Sequence, residues 1–162
     1  MGLVRDLPLV VASVTGQATF AEAARALSAS GLPAIAVVEP SGHVRGVFTQ
    51  DAHLRGLFPG YLAELRHTAF LPDDREGLAE RARAVGVEPI ARHATKAPRL
   101  RVDDSETHAA ELFLHSGLGA LPVEEDGRFV GMLDQRALCS AADARLVANA
   151  APARDETGGA AQ

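Results

Sequence analysis

Few residues of this sequence stand in patterns that carry covalent chemistry. No Gly-x-Ser-x-Gly elbow, Walker loop or Gly-x-Gly-x-x-Gly string occurs, so neither an activated nucleophile nor a glycine-rich phosphate cradle is signalled. The six histidines, His43, His53, His67, His93, His108 and His115, are scattered. His108 and His115 share a helical face but lie two turns apart, too far to bridge one ion unaided, and all six read as surface histidines. Cys139 is the single cysteine and has no second thiol or close His motif, so metal binding is not expected. Nor is catalysis. The polar residues best placed for binding are Thr49 and Asp51, at the start of a helix. Thr is a favoured N-cap and an Asp in the first turn complements the helix dipole. The pair therefore either merely starts the helix or offers a hydroxyl and a carboxylate to a ligand.

The elements that position this pair occur twice. Ser41-Gly42-His43-Val44-Arg45-Gly46-Val47-Phe48-Thr49 and Asp126-Gly127-Arg128-Phe129-Val130-Gly131-Met132-Leu133-Asp134 follow one pattern. Gly42 and Gly127, like Gly46 and Gly131, are 85 residues apart. A repeat of this length is one supersecondary unit copied. In the first copy a Thr19-x-x-Glu22 capping box precedes a helix whose face carries Phe20, Ala23, Ala24 and Leu27, and Gly31 ends it. Ile35 to Val38 is an apolar strand, Ser41-Gly42 turns the chain, Val44 to Phe48 returns as its hairpin partner, and a helix starts at Thr49. In the second copy Asp103-x-x-Glu106 is expected to open a helix carrying Ala109, Ala110 and Phe113, stopped by Gly117. Leu121 to Val123 and Phe129 to Leu133 form the hairpin, and a last helix runs from about Asp134 to about Leu146. Opening strands are predicted near Val10 to Thr15 and Arg99 to Val102.

This order of elements, the Gly-x-x-x-x-Pro-Val run at Gly117 to Val123 and the Gly-hydrophobic-hydrophobic-Thr run at Gly46 to Thr49 resemble tandem cystathionine-β-synthase-type (CBS) domains, the Bateman module. The resemblance spans about Val10 to about Arg145. It implies an α/β (α+β) fold of two pseudo-symmetric β-α-β-β-α units: a first domain over 1–57, a helical connector over 58–90, and a second domain over 91–146. Residues 147–162, rich in Ala, Gly, Asp and Glu without periodicity, read as a disordered tail. In the connector, Leu57 to Phe70, with Pro59, Tyr61, Leu62 and Leu65, reads as a short helix. A second helix is predicted from Asp73-Asp74-Arg75-Glu76 through Val85, closed by Gly86. The segment either packs over a sheet edge or, through Phe58, Tyr61, Phe70 and Leu71, docks a partner.

The resemblance further implies ligand binding in the cleft between the copies. Nucleotide-binding members carry Gly-hydrophobic-hydrophobic-Thr-x-x-Asp, in which the Thr contacts phosphate and the Asp accepts hydrogen bonds from the ribose hydroxyls. By match the Thr is Thr49, at a helix N-terminus whose unpaired NH groups suit an anionic oxygen. The ribose position holds Ala52, and Asp51 comes one residue early, a turn of about 100° along a helix, so Asp51 serves only if the helix start is shifted. An apolar slot for adenine is expected from Val14, Leu32 and Ile35, with Lys96 or Arg99 neutralising phosphate. In the second copy Asp134 replaces the Thr, Arg136 aligns with Asp51 and Ala137 holds the ribose position, so this cleft is expected to be empty or altered, with Arg136 pairing with Asp134 or reaching an acidic group. The implied ligand is of the adenosine type (AMP, ADP, ATP or S-adenosylmethionine), with no cofactor. A homodimer and a separate regulated protein are the implied partners, and a ligand-free dimerisation module is the alternative.

Composition agrees with these expectations. With 162 residues, 47% hydrophobic and 23% charged, the chain can bury a sizeable core. A net charge of −5 argues against a mainly electrostatic nucleic-acid binder. One cysteine, no signal-peptide pattern and no long apolar run point to the cytoplasm and away from the membrane.

Overall fold

The structure is a computed structural model that describes residues 2–58, 60 and 74–150. The first copy contains β1 (Ser13–Thr15), α1 (Phe20–Ser30), β2 (Ala34–Val38), β3 (Val44–Thr49) and α2 (Gln50–Leu57). Helix α3 (Arg75–Gly86) follows. The second copy contains β4 (Leu100–Arg101), α4 (Glu106–Ser116), β5 (Ala120–Glu125), β6 (Arg128–Asp134) and α5 (Gln135–Ala150). Each copy forms a three-stranded sheet, in the orders β1-β2-β3 and β4-β5-β6, whose first pair is parallel and whose second pair is a hairpin. Local signals set most boundaries. Thr19 Oγ1 accepts from Glu22 N while the Glu22 carboxylate accepts from Thr19 N, closing the capping box. Gly31 and Gly117 end α1 and α4 at φ 68° and 67°, a conformation that costs glycine little.

Strand parity divides the core into three. Ile35 and Val37 of β2 join Phe20, Leu27 and Phe48 inside the first copy. The alternate residues, Ala34 and Ala36, join Leu32, Val47, Ala120 and Met132 in a layer between the copies, as the two-residue period of a strand requires. Leu100, Phe113, Leu121, Val123 and Leu133 fill the second copy. The twin copies therefore face each other across an apolar seam about an approximate dyad.

The copies also exchange their lead-in segments. Val4 and Leu7 are buried in the second copy's core, where Val4 N donates to Asp104 O at 2.9 Å and Arg5 N to Val102 O at 3.0 Å. Reciprocally, Ile90 is buried in the first copy's core and its N–H donates to Ala18 O at 2.8 Å. Val10 makes a two-way bridge to Met132 of β6 (2.9 and 2.7 Å), and Thr95 makes the matching bridge to Val47 of β3 (2.9 and 2.8 Å). Each crossing segment satisfies backbone groups on the other copy's outer strand and covers its edge. The strand glycines make room for it: a Cβ on Gly46 would lie 2.6 Å from Thr95 O, and one on Gly131 would lie 2.9 Å from Leu9 Cβ.

Four sequence expectations are corrected. The N-cap of α4 is Ser105, whose Oγ accepts from His108 N at 3.1 Å. Asp103 lies two residues too early, and its neighbour Asp104 accepts instead from Arg101 N at 2.7 Å. Helix α3 does begin at Asp74, which caps Gly77 N, but Gly86 is its last residue and Val87 follows in a right-handed conformation, so no left-handed glycine cap forms. The opening strand of the first copy is shorter than expected, because Val10 has crossed to β6. Helix α5 continues to Ala150, past the expected start of the tail. Residues 151–162, and the Pro59, Tyr61, Leu62, Leu65, Phe70 and Leu71 portion of the connector, lie outside the described residues. Among the described residues no helix is long and apolar enough to cross a membrane.

Candidate ligand cleft

Two hollows open where the copies meet. The first, of about 430 Å³, is lined by Ala34, Thr49, Gln50, Asp51, Thr95 and the 117–119 turn. The second, of about 620 Å³, is lined by Gly31, Gln135, Arg136, Cys139 and Asp134 among others, and shares Pro33, Gln50 and Gly119 with the first. The shared residues sit on the approximate dyad: Gln50 N donates to Pro33 O at 3.0 Å, and its counterpart Gln135 N donates to Gly119 O at 2.9 Å. A Cβ on Gly119 would meet Pro33 Cγ at 2.8 Å, so the small residue lets the two turns touch.

In the first hollow, β3 delivers Thr49 to the point where α2 begins. Thr49 is nearly buried, and its Oγ1 accepts from Ala52 N at 3.0 Å. The hydroxyl proton remains available to donate to an anionic or carbonyl oxygen. Asp51 stands in the first turn of α2 with its side chain 73% exposed, and Arg55 Nε donates to its Oδ2 at 2.7 Å. One carboxylate oxygen thus faces a cation of its own helix, and the other is left to accept hydroxyl donors.

The structure brings together only part of the expected set. Thr49 and Asp51 both line the first hollow. Ile35 does not. It is fully enclosed against Phe48 in the first core, because strand parity turns Ile35 inward and Ala34 toward the seam. Leu32 is buried in the layer between the copies, and Val14 is half-buried against the first core. Lys96 is exposed next to Thr95, which does line the hollow. Arg99 is exposed and reaches Glu124 at 3.4 Å. Glu124 Oε1 also accepts from Val44 N of the other copy at 3.2 Å, so Arg99 belongs to a tie between the hairpins. Gln50 and Thr95 are lining residues that sequence reasoning missed. The same offset that pairs Gly46 with Gly131 pairs Val10 with Thr95, a signal that both are crossing points.

The second hollow is lined by an ion pair of its own. Arg136 Nε and Nη2 donate to Asp134 Oδ2 at 2.9 and 2.5 Å, Arg136 N donates to Oδ1 at 2.9 Å, and Nη2 reaches Gly31 O of the first copy at 3.2 Å. The Arg136 side-chain hydrogen bonds hold the Asp134 carboxyl below its ordinary pKa, against the opposing effect of burial. A carboxyl with a lowered folded pKa contributes stability above the ordinary carboxylate range and loses it as pH falls through the folded value. Arg136→Gln is accordingly expected to flatten the acid limb of the unfolding profile while leaving the neutral limb parallel to that of the unaltered chain. Chemical denaturation between pH 2 and 7 measures this, and an unchanged acid slope counts against the pairing.

A duplicated β-α-β-β-α unit with exchanged lead-ins and a cleft on the dyad is the architecture of a tandem CBS-domain pair, and this chain has that architecture. Residues 90–144 match the CBS domain family model. No curated protein matches the sequence significantly. Among solved structures, a CBS domain-containing protein of unknown function from Kribbella flavida is 17% identical, with a TM-score of 0.71 over 88% of this chain and 99% of that one. One from Bacillus anthracis is 21% identical, with a TM-score of 0.68 over 90% and 95%. CBSX2, solved in complex with AMP, is 18% identical, with a TM-score of 0.64 over 89% and 98%.

Proposed function

We propose that the chain is a regulatory module that binds one adenosine-type ligand in the first hollow, acts as a homodimer and signals through the relative orientation of its copies to a separate protein. The observation that carries this reading is the convergence of Thr49 and Asp51 from one copy with Thr95 from the exchanged segment of the other lead-in, around a single hollow. A ligand touching both sides stabilises one arrangement of the seam, and a partner reads that arrangement. The structural likeness to CBSX2, which was captured with AMP, supports the ligand class. Lys96, or Arg99 released from Glu124, supplies the cation for a phosphate.

A ligand-free dimerisation module is the second reading. It is favoured by Ala52 and Ala137 at the two ribose positions and by the Arg55 contact on Asp51. Melting curves with AMP, ADP, ATP and S-adenosylmethionine separate the two. A ligand at 100 times its Kd adds about 2.7 kcal/mol, an expected rise of roughly 5–10 °C for a chain of this size. The rise shrinks in Asp51→Ala, and for phosphorylated ligands also in the Lys96→Ala, Arg99→Ala double variant. Flat curves across all four compounds leave the second reading standing.

A further inference from the structure

The turn that follows the first helix of each copy is built twice from the same three residue types. Ser30-Gly31-Leu32 after α1 and Ser116-Gly117-Leu118 after α4 keep an offset of 86. The glycines take φ 68° and 67°. In each turn the serine hydroxyl accepts from the leucine N–H, at 3.1 Å from Leu32 N and 3.2 Å from Leu118 N. Their surroundings differ. Arg136 of the second copy donates from Nη2 to Gly31 O at 3.2 Å while Nε and the same Nη2 hold Asp134 Oδ2 at 2.9 and 2.5 Å. At the position matching Arg136, 85 residues earlier, stands Asp51, which lines the first hollow together with Gly117. An ionised carboxylate only accepts, so it cannot bond the Gly117 carbonyl. Leu32, in the turn that Arg136 holds, is 3% exposed, whereas Leu118 is only half-buried.

Three features suit Arg136 to this contact. A guanidinium fork reaches two acceptors at once, which the point charge of a lysine does not. Helix α1 has no basic residue in its last turn, whereas α4 has His115, so Arg136 brings to the carbonyl end of α1 the positive charge that its own sequence lacks. The place that holds Arg55 against Asp51 on α2 is Ser140 on α5, so no acid there draws Arg136 along its own helix.

We infer that Arg136 is a built-in clasp that closes the seam on the side of the second hollow. Its guanidinium stands where a ligand would otherwise be needed to bridge the copies, and the first hollow has no such bridge. The copies therefore move by opening on the side of the first hollow, pivoting on the shared wall where Pro33 packs against Gly119. Whatever binds the first hollow has one direction of opening to bias. The clasp belongs to the chain without ligand, so flat melting curves with nucleotides leave it standing.

Hydrogen exchange of the full chain without ligand, resolved to single amides by NMR, tests the clasp. Leu32 and Leu118 both follow a glycine, so their unprotected amides exchange alike and the ratio of their rates reports the difference in opening of the two turns. The Arg136 side chain is 76% exposed, which sets its hydrogen bond among the modest ones, and Leu32 is expected to exchange roughly three- to tenfold more slowly than Leu118. Arg136→Ala brings the two rates together by speeding Leu32 and leaving Leu118 unchanged. Arg136→Lys, which keeps the charge and loses the fork, falls between. Equal rates in the unaltered chain overturn the clasp, as does a Leu32 amide that stays slow in Arg136→Ala. An Arg136→Ala chain in which both amides speed up by the same factor also overturns it, since that marks general loosening.

Discussion

Gly46→Ala is expected to lower the unfolding free energy by about 3 kcal/mol, although it adds one methyl group. The added Cβ would stand 2.6 Å from Thr95 O and 3.3 Å from Thr95 C. Both are backbone atoms, so no rotamer change relieves the contact. Thr95 itself is pinned, donating to Val47 O at 2.8 Å and accepting from Val47 N at 2.9 Å. Moving it away weakens two hydrogen bonds worth about 1 kcal/mol each, in addition to the overpacking cost of about 1–3 kcal/mol. For a chain of this size the melting temperature drops by roughly 6–12 °C. Gly131→Ala is milder, because its nearest neighbours are Leu9 Cβ at 2.9 Å and Val10 O at 3.5 Å. Gly16→Ala serves as the control, since nothing lies closer to its Cβ than Arg45 Cδ at 3.9 Å. If Gly46→Ala melts with the Gly16→Ala control, the exchanged lead-in is not where the structure has it. Thr95 also lines the first hollow, so the same variant should weaken whatever binds there.

That glycine shows how far the sequence could be read. The repeat of Gly42 and Gly46 at Gly127 and Gly131 disclosed the duplication, since a turn glycine and a close-approach glycine are each fixed by backbone geometry. The helix stops at Gly31 and Gly117 were legible for the same reason, as both take positive φ. What Gly46 approaches was not legible. Thr95 is 49 positions away in the chain, and no local propensity encodes a bridge over that distance. The expectation of an uninterrupted opening strand from Val10 failed on the same ground, because tertiary pairing with Met132 outcompeted continuation of β1. Ser105 was passed over as a cap because its third neighbour is His108 and not an acid, whereas Asp103 had Glu106 in the favoured place. Matching the copies would have found it, since Thr19 and Ser105 keep the 86-residue offset of the two cap glycines.

That Thr49 and Asp51 line a hollow between the copies was legible, and which apolar residues line it was not. Thr49 and Asp51 sit where a strand hands over to a helix, and that junction is fixed by local sequence, so both reach the hollow. Assigning Ile35 to the wall required knowing which face of β2 looks at the seam. A run such as Ala34-Ile35-Ala36-Val37 is apolar on both faces and gives no alternation to decide it. The packing decides it by volume: the alanines fit the narrow layer between the copies, and the larger Ile35 and Val37 fill the core under α1. Arg136 was expected either to pair with Asp134 or to reach an acidic group, and it pairs with Asp134.

Arg145→Ala is expected to lower the melting temperature by roughly 6–12 °C, a large effect for an arginine half in solvent. The reason lies in its partner. Glu106 begins α4, is 6% exposed, and is held by Arg145 through both oxygens, with Nη2 to Oε1 at 2.5 Å and Nη1 to Oε2. Among the described residues no buried side-chain nitrogen or oxygen lacks a partner. Removing Arg145 leaves a buried carboxylate uncompensated, where the cost of stripping its water is no longer offset. Glu106→Gln, which keeps the shape and removes the charge, is expected to be milder than Arg145→Ala. The first copy shows the alternative solution: the position matching Glu106 is Phe20, packed edge-on against Phe48 at 5.4 Å and His93 at 4.9 Å. That ring fits only because Gly56 faces it, since a Cβ there would come within 2.6 Å of the ring carbons, and the residue matching Gly56 is Ala141. Glu106→Phe alone should therefore clash with α5, and Glu106→Phe with Ala141→Gly and Arg145→Ala should recover most of the loss, because apolar packing replaces a buried ion pair at little net cost. Thermal unfolding of the four variants decides the matter: an Arg145→Ala chain that melts like its parent would show that the ion pair is solvated and that the closure of α5 over α4 rests on Leu138 and its neighbours alone.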